Sequence, residues 1–331
     1  MGEEMVDRNS LLQSVAYRIR DYRAGEIDTP DEDHVNQWIN QFPADVQVPL
    51  LAELAHVLTK TYADKPTVEK FLSSVLESEM LAGKDPAAFW RGVRFLNVQT
   101  AGHSQHDMLE LLNPMLQAKF GYGLCDCGAA PHTYLYLDDG LYSGGRIGSD
   151  LTAWINGPAP HKAKIWVVVM AIHNLGEYFV KKDLKPVVAA SGKVIDVQFG
   201  CAIRIENRKA YKDASDVLWP TAIPNDPATQ AYIGGLGAAQ IFRAPGNVGG
   251  HAFFSTDAQR ILMEQEFLKA GVRVREMCPL LPDAMRPLGS SLMRTMGLGS
   301  PFITYRNIAN NTPLVLWAGN PWYPLFPRKI N

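Results

Sequence analysis

Two adjacent carboxylates, Asp138 and Asp139, follow an apolar run at 134–137 and precede the turn Ser143-Gly144-Gly145 and then Arg146. The run alternates tyrosine and leucine, so it is expected to form a short buried strand that delivers both acids at its carboxyl end. In open parallel sheets that end is where ligands sit. The small turn residues let a backbone approach an anion closely, and the amides of a helix opening near Arg146 point unpaired N–H groups at it. The chemistry such a pattern suits is that of a sugar phosphate: the carboxylates take ribose hydroxyls or Mg²⁺, and the loop takes a phosphate. The same residues also read as a strand ending in a solvated acidic turn with a glycine bend.

The stretch Asp138-Asp139-Gly140-Leu141-Tyr142-Ser143-Gly144-Gly145 resembles the phosphoribosyl-pyrophosphate (PRPP) motif of the type I phosphoribosyltransferases in order and spacing. The resemblance implies that the acid pair holds the ribose 2- and 3-hydroxyls, directly or beside Mg²⁺, while residues 143–146 wrap the 5-phosphate. Two positions depart from the motif. Gly140 replaces an aliphatic residue, and Arg146 stands where a second Thr or Ser commonly closes the loop; a guanidinium binds phosphate as a charged fork, but it is bulky. An earlier strand candidate, 93–98, leads into the loop Gln99-Thr-Ala-Gly-His-Ser-Gln105 and an amphipathic helix at 108–119. By the same resemblance that loop receives pyrophosphate, through Gly102, His103, Ser104 and Gln105. Ser104 serves equally well as an ordinary helix N-cap.

The elements that must position these residues follow from periodicity. Strands at 93–98, 134–138 and 164–172 alternate with helices, including 146–156 and 174–182, and repeated crossovers imply a parallel sheet with helices on both faces. Residues 193–204 alternate well enough for one or two further strands. The expected fold class is therefore α/β, a parallel sheet flanked by helices in Rossmann-type layering, with an all-helical region before it. Apolar stripes at Leu11/Leu12, Val15 and Ile19, at Leu50/Leu51, Leu54 and Val57/Leu58, and at Phe71/Leu72 with Val75/Leu76 build that region. It is drawn as 1–85, a cap or partner-binding region, with 86–331 as the α/β domain and its carboxyl-terminal extension.

Several later segments, 254–271, 286–289, 297–299, 304–317 and 321–326, together with His34-Val-Asn-Gln-Trp-Ile-Asn-Gln-Phe42, resemble the phosphoribosyltransferase-like effectors of bacterial conflict systems. That family accompanies retron reverse transcriptases and other anti-phage operons. The resemblance implies a toxic or nucleotide-directed effector held in check by operon partners, such as a reverse transcriptase with its nucleic acid. By their chemistry, Ser255 or Thr256 caps a helix that Gly271 ends, with Glu264 and Glu266 solvated. Asn307, Asn310, Asn311 and Thr312 form an amide cluster better suited to turns than to reading a base edge. Trp322, Tyr323 and Phe326 offer either stacking surfaces or a tail packed on the core.

Acidic and basic side chains nearly balance, 34 against 32, so no bulk basic field points to tight independent DNA binding. The longest strong apolar run, 165–172, has the length of a buried strand and not of a membrane span. The polar amino terminus lacks an apolar export core, so a cytoplasmic protein with reduced thiols is expected. Cys125-Asp-Cys127, with His132 five residues on, has the wrong spacing for a zinc knuckle. Two function classes fit: an enzyme that breaks or forms an N-glycosidic bond at an activated ribose, and a catalytically inactive nucleotide-sensing or structural subunit of a defence complex. For either, the helical region would mediate assembly with itself or with a partner.

Overall fold

A computed structural model describes residues 7–100, 102–131, 133–237, 242–293 and 295–329. His132 lies outside the described residues, as does Ala101 of the candidate pyrophosphate loop. The chain begins with α1 (Arg8–Ile19), α2 (Glu32–Ile39) and α3 (Ala44–Thr61), then a short strand β1 (Tyr62–Ala63). It continues through α4 (Lys65–Glu77), α5 (Glu79–Ala82), α6 (Pro86–Arg91), β2 (Val93–Leu96), α7 (Ser104–Phe120), β3 (Thr133–Leu141), α8 (Gly145–Asn156), β4 (Lys162–His173), α9 (Asn174–Ser191) and β5 (Val194–Ile205). The remainder carries α10 (Pro227–Leu236), α11 (Asp257–Met277), the short strands β6 (Met285–Arg286), β7 (Gly289–Ser290) and β8 (Ile303–Thr304), and α12 (Leu314–Trp317).

These elements form two compact units, one of residues 66–205 and one of residues 1–65 with 206–330. The helical region expected over 1–85 is thus divided: α1 to α3 share a unit with the carboxyl-terminal segment, while α5 and α6 belong with the sheet. Packing explains the division. Trp38, fully buried on α2, donates its indole N–H to the Val315 carbonyl at 2.8 Å. Tyr22 meets Phe326 edge-on with ring centres 5.0 Å apart, and β1 pairs in parallel with β8 through Tyr62↔Ile303. Trp322 and Phe326 are buried, so the tail packs on the core.

Two expectations about α11 change. The helix does not end at Gly271 but runs on to Met277. A Cβ at Gly271 would stand 2.7 Å from the Pro287 carbonyl oxygen, so this glycine serves a close approach and not a stop. Glu264 and Glu266 are buried rather than solvated, at 1 % and 5 % exposure. Glu264 accepts from Arg243 at 2.7 and 2.9 Å and from Arg260 at 3.0 Å, a buried charge held by two guanidiniums. The amide cluster braces turns: Asn311 donates to the Ser290 carbonyl, and the Asn307 side chain accepts from the amides of Ile308 and Lys329.

In the other unit the sheet order is β2-β3-β4-β5, every pair parallel. Strands buried this deeply read as nearly continuous apolar runs, as β4 does from Ile165 to Ile172. Tyr134, Tyr136, Ile165, Val167 and Val169 pack beneath Ile147, Leu151, Trp154 and Ile155 of α8 and Val180 and Leu184 of α9. The parallel α/β layering with flanking helices is as expected, and 193–204 proves to be a single strand.

Candidate functional site

The acid pair sits on β3, one of the two inner strands, but does not end it. Pairing with β4 continues past Asp138↔Val169 to Gly140↔Ala171 and Leu141↔Ile172. Residues next to each other on a strand project to opposite faces. Asp138 therefore shares the Tyr134 and Tyr136 face, and it is 3 % exposed, whereas Asp139 is turned to the other face and half-buried. The Asp138 Oδ1 accepts the Asp139 amide at 2.8 Å.

Gln99 joins the acid to the preceding loop. Its Nε2 lies 3.5 Å from Asp138 Oδ2 and 3.0 Å from Ser104 Oγ, and its Oε1 accepts the Gln105 amide at 3.2 Å. The candidate pyrophosphate loop and the acid pair are thus brought together. Roles within the loop are more structural than the motif suggests. Gln105 is fully buried, and its Oε1 takes the amides of Val98 and Gln99 at 2.6 and 3.1 Å, so it shapes the loop from beneath. Gly102 takes φ +90°, a left-handed conformation that favours glycine. The α7 helix opens at Ser104 with no side-chain cap from His103; Gln99 caps it instead, its Oε1 taking the Gln105 amide.

The second loop follows the same plan. Gly144 caps α8 in a left-handed conformation, φ +85°, with no side-chain cap bond. A Cβ there would stand 2.6 Å from the Gly176 carbonyl oxygen and 2.7 Å from Val180 Cγ2, so the contact with α9 by itself requires glycine at 144. Ser143, Gly145 and Arg146 are exposed, and Gly145 has only Ser143 Oγ near its would-be Cβ, at 3.7 Å. An anion at this turn would therefore meet the Ser143 hydroxyl, whose oxygen accepts the Gly145 amide at 3.4 Å, and the Arg146 amide and guanidinium.

Four residues that the sequence pattern does not single out complete the surroundings. Asp150, buried at 1 % exposure on α8, accepts from Tyr136 Oη at 2.9 Å and from Thr100 Oγ1 at 3.3 Å, tying β3, α8 and the β2–α7 loop into one bracket. Burial, together with the Asp138 and Asp150 carboxylates, drives the Tyr136 hydroxyl far above the ordinary phenol range, so it stays a donor. The Tyr142 ring lies over Gly140, where a Cβ would come within 2.7 Å of it; this accounts for glycine at the position the motif gives to an aliphatic side chain. Tyr142 packs on His173 with ring centres 5.3 Å apart, and burial holds His173 neutral, its pKa lowered to about 4. The signal that could have found Asp150 is its spacing, one helical turn and a little beyond the glycine pair; the others become visible only with the strand register.

Among the described residues no group of three or more His, Cys, Asp or Glu side chains is placed to hold a metal ion. Mg²⁺ asks for less than that when substrate phosphates share its coordination, commonly one or two carboxylates with several waters. The half-exposed Asp139 can supply one such carboxylate, while the buried Asp138 projects from the opposite face of the strand. A separate cavity of about 380 Å³, lined by Arg94, Phe95, Leu109 and Cys125 among others, includes none of these candidate residues.

No curated protein and no solved structure matches the chain. A family model described as PRTase-CE matches residues 35–328, which takes in both units and every candidate site residue. The chain belongs to the phosphoribosyltransferase-like PRTase-CE family.

Proposed function

We propose that the protein binds PRPP or a nucleotide at the carboxyl end of β2 and β3 and breaks or forms an N-glycosidic bond there. The observation that carries this reading is the Gln99 bridge, which sets the Asp138 carboxylate beside the start of α7. In such a reaction positive charge develops at the anomeric carbon as the leaving group departs. A carboxylate fixed nearby stabilises that charge, and hydrogen bonds to the ribose hydroxyls hold the ring in line. Asp138 and Asp139 take these parts. Ser143, Gly145 and Arg146 bind the 5-phosphate, with Gly144 shaping their turn. The start of α7 at Ser104 and Gln105, with Gly102 letting the loop turn, receives the leaving anion, which takes over the Gln105 amide that Gln99 holds. Mg²⁺, bound mainly by substrate phosphates, would neutralise diphosphate charge, with Asp139 as the accessible protein ligand.

Family membership supports the wider role as well: an effector of anti-phage defence, restrained by partners such as a reverse transcriptase with its nucleic acid until released. The test is to incubate the purified protein, alone and with its operon partners, with PRPP and nucleotide pools, and to follow products by mass spectrometry. Loss of product in Asp138→Asn and Asp139→Asn is the expected result; unchanged turnover with both acids replaced would remove the site from the reaction. A nucleotide-sensing subunit without catalysis is the second reading, favoured by the depth of Asp138 and the engagement of its Oδ1. Calorimetric binding of PRPP with no turnover under any partner combination would select it.

A further inference from the structure

The sheet of residues 66–205 ends on a long strand whose far side pairs with no other strand among the described residues: β5, 12 residues from Val194 to Ile205. Natural edge strands are usually short, bulged, interrupted by proline or covered, because a row of free N–H and C=O groups templates pairing with another chain. β5 contains no proline, and its register with β4 runs one to one from Lys162↔Val194 to Val169↔Cys201. The Val194 amide donates to His161 at 2.7 Å, toward β4, so by alternation the main-chain groups of Ile195, Val197, Phe199, Cys201 and Ile203 face outward. The side chains of these same five residues are only half-buried, and Ile195, Val197, Phe199 and Cys201 rim the core that α8 and α9 cover.

We propose that this edge pairs antiparallel with β5 of a second copy of the chain, joining two four-stranded sheets across a two-fold axis at Gly200. The inference is independent of any ligand at the β3 site. Charge selects the register. With Gly200 opposite Gly200, Asp196 of each copy lies opposite Arg204 of the other, so the pairing places two opposite-charge cross-strand contacts on the exposed face. Arg204 keeps Glu177 of its own chain as a partner in every register, so what differs is the cross-strand neighbour: centred instead on Cys201, the same pairing sets Asp196 against Glu206, acid on acid; centred on Phe199, it sets Arg204 against Val194 and forms no cross-strand charge pair. The main-chain phase agrees with the charge. Phe199 and Cys201, whose backbone groups face outward, become a hydrogen-bonded pair, and Gly200 and Asp196/Arg204 fall on non-hydrogen-bonded positions where side chains come closest. The half-buried Ile195, Val197 and Phe199 then meet Ile205, Ile203 and Cys201 of the other copy, which covers the apolar rim.

The two-fold register gives a position-specific test with the full-length protein. Sedimentation of the wild type at high micromolar concentration should report the mass of two chains. Asp196→Arg, which sets Arg against Arg204 twice, should weaken that dimer by roughly tenfold or more. Gly200→Cys is sterically open, its Cβ meeting only Val168 Cγ2 at 3.6 Å. Facing itself at about 4.5 Å between Cα atoms, it should form a disulfide-linked dimer under mild oxidation, above the level native thiols give the wild type. Gln198→Cys, roughly 13 Å from its counterpart, should not. A monomeric wild type, a dimer indifferent both to Asp196→Arg and to Val197→Pro, or cross-linking through Gln198→Cys as readily as through Gly200→Cys would each overturn the proposal.

Discussion

Replacing Gly144 by alanine separates two reasons for a glycine at the α8 turn. If that glycine were bare only for an anion, Gly144→Ala would weaken ligand binding and cost the fold no more than the left-handed conformation. The structure predicts a larger loss. At φ +85° an alanine carries the left-handed penalty, about 1–2 kcal/mol. Its Cβ would also stand 2.6 Å from the Gly176 carbonyl oxygen and 2.7 Å from Val180 Cγ2. Turn and helix already touch main chain to main chain, because a Cβ at Gly176 would itself run into the Tyr142 carbonyl oxygen. Overpacking of this kind costs about 1–3 kcal/mol more, for a total of roughly 2–5 kcal/mol. Gly192 supplies the control: it too is left-handed, φ +65°, but a Cβ there meets nothing within 4 Å. Gly192→Ala should therefore lose only the conformational part. Urea denaturation followed by circular dichroism measures both, and Gly145→Ala, open and not left-handed, should keep wild-type stability while weakening phosphate binding. Equal losses for Gly144→Ala and Gly192→Ala would refute the assignment of Gly144 to the α9 contact.

Asp138→Asn should fold normally and lower affinity for a ribose phosphate by the worth of one charged hydrogen bond, about 1.5–3 kcal/mol, read by titration calorimetry with PRPP. His173 makes stability depend on acid: the folded chain holds it neutral with a pKa of about 4, while the unfolded chain takes a proton near the ordinary 6.5. Its contribution is complete above the unfolded value and is lost as pH falls from there toward 4, up to about 3 kcal/mol, so urea midpoints should drop across that window and His173→Asn should flatten the drop. Glu264→Ala leaves the buried Arg243 and Arg260 without their shared counter-charge and should cost about 3–5 kcal/mol in the same denaturation assay. Residues 66–205 expressed alone should give a cooperative thermal transition, since their contacts are largely internal, whereas a chain starting at residue 66 and running to the end should lose the fold of its carboxyl-terminal segment.

Local signals along the chain were enough for the elements of the sheet and the order of its chemistry. Alternating Tyr134 to Leu137, the unbroken apolar run of β4 and the glycine turn before α8 are local signals, and local propensity with crossover rules is enough to make them a parallel sheet with loops at its carboxyl end. The family, too, was legible in the spacing of Asp138, Asp139 and 143–145. Tertiary structure decided everything that depends on partners distant in the chain. Whether Glu264 meets water or two arginines turns on Arg243, and whether Gly271 ends a helix or admits a neighbour turns on Pro287. The amino-terminal helices resemble a free-standing cap because their apolar stripes reveal that something is buried, not what buries it; the partner is the segment after residue 206. At the site, sequence adjacency makes Asp138 and Asp139 look like one chelating pair. The strand continues through both, and a period of two turns their side chains to opposite faces, leaving one beneath Gln99 and the other toward solvent.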